Sequence, residues 1–167
     1  MIPTMNIVAW SRVAPWAEQR QIEQDLIICR AIVELFSDSF LREGLRFRGG
    51  TALNKLHFSA PLRYSEDLDL VRTTTGPIKP ILQRIRSLLE PWLGQANFDR
   101  SPVSPKLRFK VEAEDGGADI RLKIEISTRE IEAFDPSRAI PLRVDDPWFA
   151  GAADVVTFRA RRWWRRN

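Results

Sequence analysis

The sequence predicts an α+β domain, with a mixed β-sheet packed against helices. Three observations carry that prediction. Two long segments repeat apolar residues every three or four positions, which is the helical period. Several short segments alternate apolar and polar residues, which is the strand period. The two kinds follow one another as helix, strand, helix, strand, helix and then strands, an order that fits a mixed sheet.

Residues 15–43 read as the first helix. Ile22, Leu26, Cys29, Val33, Phe36 and Phe40 form one stripe, Pro15 suits a first turn, and Gly44 is a plausible stop. Residues 45–48 read as a short strand with Leu45 and Phe47 on one face. Residues 51–58 have helical character through Ala52, Leu53 and Leu56, and "SAPLRYS" is a loop. Residues 67–72 read as a strand, with Leu68 and Leu70 on one face and Asp67 and Asp69 on the other. Residues 77–93 are the second long helix, with Ile78, Leu82, Ile85, Leu89 and Leu93 in its stripe. Strands at 106–113 and 119–127 join through a turn at Asp115-Gly116. The second alternates cleanly, Ile120, Leu122, Ile124 and Ile126 against Asp119, Arg121, Lys123 and Glu125. Further short strands are expected at 139–144 and 153–158.

The chain has 167 residues, 44% of them apolar and 29% charged, which suits one domain with a real core. No run of about 18 apolar residues exists, so no membrane span is expected. The N-terminus lacks a basic segment followed by an apolar core, so no signal peptide is read. The one cysteine, Cys29, cannot form an internal disulfide, and a cytoplasmic protein is the simplest expectation. The net charge is +4, but the last nine residues, "RARRWWRRN", hold five arginines. Without those five, 21 basic residues face 22 acidic ones. We therefore read residues 1–158 as the core domain and 159–167 as a basic tail. The tail is either an unstructured end or a phosphate-binding segment.

Chemistry concentrates in "RFRGGTALNKLHFSAPLRYSEDLDLV", residues 46–71. Asp67 and Asp69 on one strand face stand about 7 Å apart along the backbone and can lean onto one or two cations. Mg²⁺ takes hard oxygen ligands and substrate phosphates, and two such ions can clamp a nucleotidyl transfer. Alone, that pair is also an ordinary wet strand face. Gly49 and Gly50 sit between a strand and a helix, where backbone can approach a phosphate closely, and Thr51 adds a hydroxyl. They also suit a plain turn. The P-loop pattern is absent.

At this spacing the segment closely resembles the nucleotidyltransferase AbiEii/AbiGii toxin family, within the DNA polymerase β-like nucleotidyltransferase superfamily. Gly49, Gly50, Thr51, Ala52, Leu53, Arg63, Ser65, Glu66, Asp67, Leu68 and Asp69 all match its pattern. The resemblance implies a nucleotidyltransferase fold, with Gly49, Gly50 and Thr51 on a triphosphate and Asp67 and Asp69 on Mg²⁺, in two ions. A third carboxylate on a later strand commonly completes the metal site. Glu125 is the best candidate and Asp119 a weaker one, while the rival reading pairs Glu125 with Lys123 or Arg121. Lys55 is placed either to reach a phosphate or to sit in solvent. Arg63 and Ser65 match the family, although Arg63 could instead brace Glu66 or Asp67. Lys123 is placed to offset charge on leaving pyrophosphate. His57, the only histidine, reads as structural. The family also implies a toxin role, an antitoxin partner, a nucleoside triphosphate, and an RNA acceptor such as tRNA.

The resemblance fades after Val155-Val156-Thr157-Phe158. Members continue into a mostly helical region, whereas this sequence reads "RARRWWRRN". Arg and Trp crowding is what out-of-frame reading of GC-rich DNA produces, so the expectation is a truncated homologue, with Trp148 and Phe149 left exposed. Two other readings stand beside the enzyme: an inactive homologue keeping only nucleotide or partner binding, and a nucleic-acid binder acting through its tail.

Overall fold

The apolar repeat of residues 15–43 folds as two helices, because Asp38 interrupts it. The computed structural model describes residues 1–52, 55–56, 66–128 and 137–158. Within these, α2 (Gln19–Ser37) ends where Asp38 turns extended, at φ −82° and ψ 121°. The Asp38 carboxylate then accepts the Leu41 N–H at 3.1 Å, capping α3 (Ser39–Gly44). Arg84 donates to the other carboxylate oxygen at 2.6 Å. Burial pulls the Asp38 pKa upward, but Arg84 and the Leu41 N–H together hold it below its ordinary value. The break rotates the stripe, so Leu41 enters the core and Phe40, expected there, is half exposed.

α2 is also more deeply enclosed than one stripe requires. Ile22, Leu26, Cys29, Val33 and Phe36 are buried as read, but so are Ile27, Ile28, Ala31, Ile32 and Leu35. One flank meets the sheet and the other meets α1 (Thr4–Trp10), which the sequence reading missed. α1 buries Ile7 and Trp10 while exposing Met5 and Val8, so its apolar residues form no single stripe.

The remaining elements are β1 (Leu45–Arg48), α4 (Gly49–Ala52), β2 (Asp67–Arg72), α5 (Lys79–Leu93), β3 (Asn97–Asp99), β4 (Lys106–Val111), β5 (Ile120–Ser127), β6 (Ser137–Asp145) and β7 (Ala150–Phe158). α5 begins two residues later than expected, with Pro80 in its first turn. β3 is three exposed residues and carried no readable alternation. The turn after β4 is as read: Gly116, at φ +71°, donates to the Ala113 carbonyl at 3.0 Å. His57, Arg63, Ser65, residues 159–167 and half of the expected 51–58 helix lie outside the described residues.

The described strands form one mixed seven-stranded sheet in the order β3-β4-β5-β2-β1-β7-β6. β2 is central, antiparallel to β1 and parallel to β5. Alternation gives the sheet two faces. Phe47, Leu68, Leu70, Leu107, Phe109, Ile124 and Ile126 are buried with α2 and α5. The opposite face carries Arg48, Asp67, Asp69, Lys106, Arg108, Lys110, Lys123 and Glu125. Trp148 and Phe149, expected to lie open, are half-buried. With Trp92 they surround the Arg30 guanidinium, whose carbon lies 4.2, 4.6 and 5.0 Å from the Trp92, Trp148 and Phe149 ring centres.

Glu23 is the one carboxylate on α2 placed badly for a charge. It is 1% exposed, its Oε2 accepts the Glu114 N–H at 3.1 Å, and its Oε1 has no donor among the described residues. Burial raises its pKa. A raised native pKa means that the charged form weakens the fold above that pKa, and that the penalty is gone below the unfolded value. Glu23→Gln should therefore raise unfolding free energy in urea at neutral pH. Its advantage should shrink as pH falls through the native pKa and vanish below the ordinary carboxylate value.

Candidate active site

Strand register gathers the predicted acids. In the β2–β5 ladder Asp69 lies opposite Glu125 and Asp67 opposite Lys123. In the β1–β2 ladder Arg48 lies opposite Asp69. All five project from the face away from the helices. Leu68, Leu70, Ile124 and Ile126 fix that choice, because a slip of one residue would turn the apolar set outward.

The Gly49-Gly50 turn leads out of β1 directly beside these acids. Gly49 has φ +89°, and a Cβ placed on it would stand 2.5 Å from Oδ2 of Asp69. Only glycine leaves room for that carboxylate and adopts that backbone without strain. The turn and the acid pair therefore share one side of the sheet.

The carboxylates press on one another. The Asp69 pKa is raised, first by burial and then by the negative fields of Glu125 and Asp67, with Arg48 and Lys123 pulling the other way. The Lys123 ammonium lies 3.3 Å from Asp67 and 3.9 Å from Glu125, and Lys106 lies 3.8 Å from Glu125. Glu125 thus lies opposite Asp69 and pairs with Lys123, as one reading of it expected, and with Lys106 in place of Arg121. Lys123 occupies the place of a cation between two acids. Among the described residues no three carboxylate, imidazole or thiol groups stand close enough to hold a metal ion as they are. The donor set is nonetheless of the hard-oxygen kind that Mg²⁺ takes.

Two expected phosphate contacts go elsewhere. The Thr51 side chain is buried, and its hydroxyl donates to the Asp67 carbonyl at 2.6 Å, tying the turn to the start of β2. Lys55 is neither solvated nor facing the acids. Its ammonium pairs with Asp25 of α2. Asp25, 3% exposed, also accepts from the indoles of Trp10 at 2.9 Å and Trp16 at 3.1 Å, and from the Cys29 thiol at 3.6 Å. Burial pushes that thiol up to about 12, so it stays protonated and inert. Asp119 pairs with Lys110 at 3.1 Å, away from the acid pair. Arg48 and Asp25 belong to no motif of the sequence. The Leu45/Phe47 alternation already places Arg48 on the acid face, whereas nothing local marks Asp25.

A family model described as "Nucleotidyl transferase AbiEii toxin, Type IV TA system" matches residues 30–162. No protein of curated function matches the chain. Among solved structures, JHP933 from Helicobacter pylori superposes with a TM-score of 0.60 at 19% identity, over 87% of this chain and 54% of that one. MenT4, a nucleotidyltransferase toxin from Mycobacterium tuberculosis H37Rv, gives 0.58 at 20% identity, over 89% of this chain and 53% of that one. At these identities the likeness is one of fold. The chain spans about half the length of the solved structures that it matches.

Two substitutions probe this geometry. Gly49→Ala should cost about 1–3 kcal/mol of stability, because it combines a positive φ with a clash on Asp69. Urea unfolding measures that. Asp69→Asn should stabilise the protein in chelator-containing buffer at neutral pH, since it removes a charge that its surroundings disfavour. The raised pKa sets the sign: the gain fades as pH falls through it, which thermal melts across pH will show.

Proposed function

The chain belongs to the AbiEii nucleotidyltransferase toxin family, and from that premise we propose that it transfers a nucleoside monophosphate from a nucleoside triphosphate to a polynucleotide hydroxyl, in RNA such as tRNA. The observation that carries the proposal is the juxtaposition of Asp67, Asp69 and Glu125 with the Gly49-Gly50 turn. In this reading the acceptor oxygen attacks the α-phosphorus, and a new P–O bond forms. The bond to the β-phosphate oxygen breaks, and pyrophosphate leaves. The hydroxyl proton passes to a carboxylate of the site, Glu125 or one of the two aspartates.

Asp67, Asp69 and Glu125 would hold Mg²⁺, in two ions, which when bound supplies positive charge to both the entering and leaving oxygens. The bare backbone of Gly49 and Gly50 lets the triphosphate approach the acids. Lys123 gives up its place between Asp67 and Glu125 and offsets the charge on pyrophosphate. Thr51 and Lys55 act one step back: Thr51 holds the turn to β2, and Lys55 holds the following segment to α2. Arg63 and Ser65 remain proposed phosphate contacts on their match to the family pattern. An antitoxin counterpart follows from the family's type IV toxin–antitoxin description, and a cytoplasmic place fits a nucleotide substrate. No helix among the described residues is long and apolar enough to cross a membrane.

The half-length coverage of the matched structures keeps a second reading in view, a domain that binds nucleotide without transferring it. Incubation with each α-labelled nucleoside triphosphate, Mg²⁺ and total tRNA separates the two. Label should enter the acid-precipitable fraction. Asp67→Asn and Asp69→Asn should each lower incorporation by more than the roughly 100-fold typical of losing a residue that merely orients a ligand. Nucleotide-dependent protection against heat with no incorporation would favour the second reading.

A further inference from the structure

The open face of β4 and β5 sets like charges against one another. Arg108 lies opposite Lys123, and Lys110 opposite Arg121. Opposed like charges in an antiparallel pair weaken the sheet, and of the four cations Lys123 alone is offset by the acids of the site, Asp67 at 3.3 Å and Glu125 at 3.9 Å. The counter-ions of the other three are loosely held or absent among the described residues. Arg108 meets Asp99 at 2.6 Å with both side chains half exposed, and Lys110 meets Asp119 at 3.1 Å with the lysine 63% exposed. Exposed pairs of this kind contribute little and exchange readily. Arg121 pairs with no carboxylate among the described residues.

These four cations line a groove of about 390 Å³ together with Asn97, and Glu66 and Asp67 line it too, so it reaches the acid pair. That volume lies in the range that holds one small ligand or one nucleotide. Its position gives it a direction. β5 and β1 flank β2 on opposite sides, so the groove approaches the acids from the flank opposite the Gly49-Gly50 turn. A phosphate chain on each flank would meet at the carboxylates.

We infer that this groove binds the single-stranded end of the acceptor polynucleotide. Arg108, Lys110 and Arg121 grip its phosphodiesters, and the terminal hydroxyl lies toward Asp67 and Asp69. Successive rungs stand about 7 Å apart, a stride that an extended sugar–phosphate backbone can follow. The direction of the strand rests on the transferase reading, but binding itself does not. Continuity with the carboxylate site favours a polynucleotide over an acidic protein.

Fluorescence anisotropy with a short 5′-labelled single-stranded RNA, across a salt series, tests the inference. The double variant Lys110→Gln/Arg121→Gln should bind about tenfold more weakly at low salt. Its log affinity against log salt should flatten by about 1.4, roughly 0.7 for each lost cation. Its melting temperature should equal or exceed that of the parent, because a repulsive rung is gone. Lys79→Gln, an exposed cation on α5 behind the sheet, should follow the parent. Unchanged RNA affinity and slope in the double variant overturn the inference. So does lost nucleotide protection with RNA binding intact, or a preference for polyglutamate over RNA. RNA binding that depends on these two residues in a protein that transfers nothing upholds the groove and removes the transferase reading instead.

Discussion

Gly49 has no side chain, and the Asp69 carboxylate stands in the space that a side chain would need. That exclusion links the two parts of the site. The turn can lie against the acids only while β1 and β2 run antiparallel in the register that sets Arg48 opposite Asp69. The same β2 then pairs with β5 and brings Glu125 alongside. Negative charge is thereby crowded on a few ångströms of sheet, and Lys123, Lys106 and Arg48 hold it in place. The crowding costs the fold some of its electrostatic energy, and the chain's own cations return part of it.

The shell behind the site is anchored differently. Asp25, itself buried, takes hydrogen bonds from two indoles and a thiol and an ion pair from Lys55. A buried carboxylate tolerates that position only when fully partnered. The partners come from three places: the N-terminal segment through Trp10 and Trp16, α2 itself, and the segment after the glycine turn. The Thr51 bond to the Asp67 carbonyl adds a second tie, from the turn to β2. The turn is therefore fixed to both the helical layer and the sheet, and the Gly49-Gly50 side of the site inherits the rigidity of the core.

How much of this could be read from sequence depended on the range of the interaction. Clean alternation in "DLDL" and "IRLKIEI" identified β2 and β5 and the faces of Asp67, Asp69 and Glu125, because strand period is a local property. The Gly-Gly-Thr turn was visible for the same reason. Asp38 was not seen as a break, since an Asp inside an apolar repeat is common, and only its cap on Leu41 and its pair with Arg84 decide the matter. α1 escaped because its apolar residues face both inward and outward. The fate of Lys55 was hidden because its partner lies 30 residues earlier in the chain. Its spacing from Thr51 was compatible with a phosphate or with solvent, and a buried acid on another helix overrode both.

The position of β7 has a consequence for the order in which this molecule is assembled. β7 lies inside the sheet, parallel to β1, and the Thr157 hydroxyl donates to the Phe47 carbonyl at 2.6 Å across 110 residues of sequence. During synthesis β1 emerges well before β7 and waits, with one edge unmatched, until β7 has left the ribosome. Pairings so distant close slowly, and open strand edges invite the wrong neighbour. The nascent chain thus passes through a window in which its central strands are formed with one edge open, and in that window a holding chaperone has the most to protect.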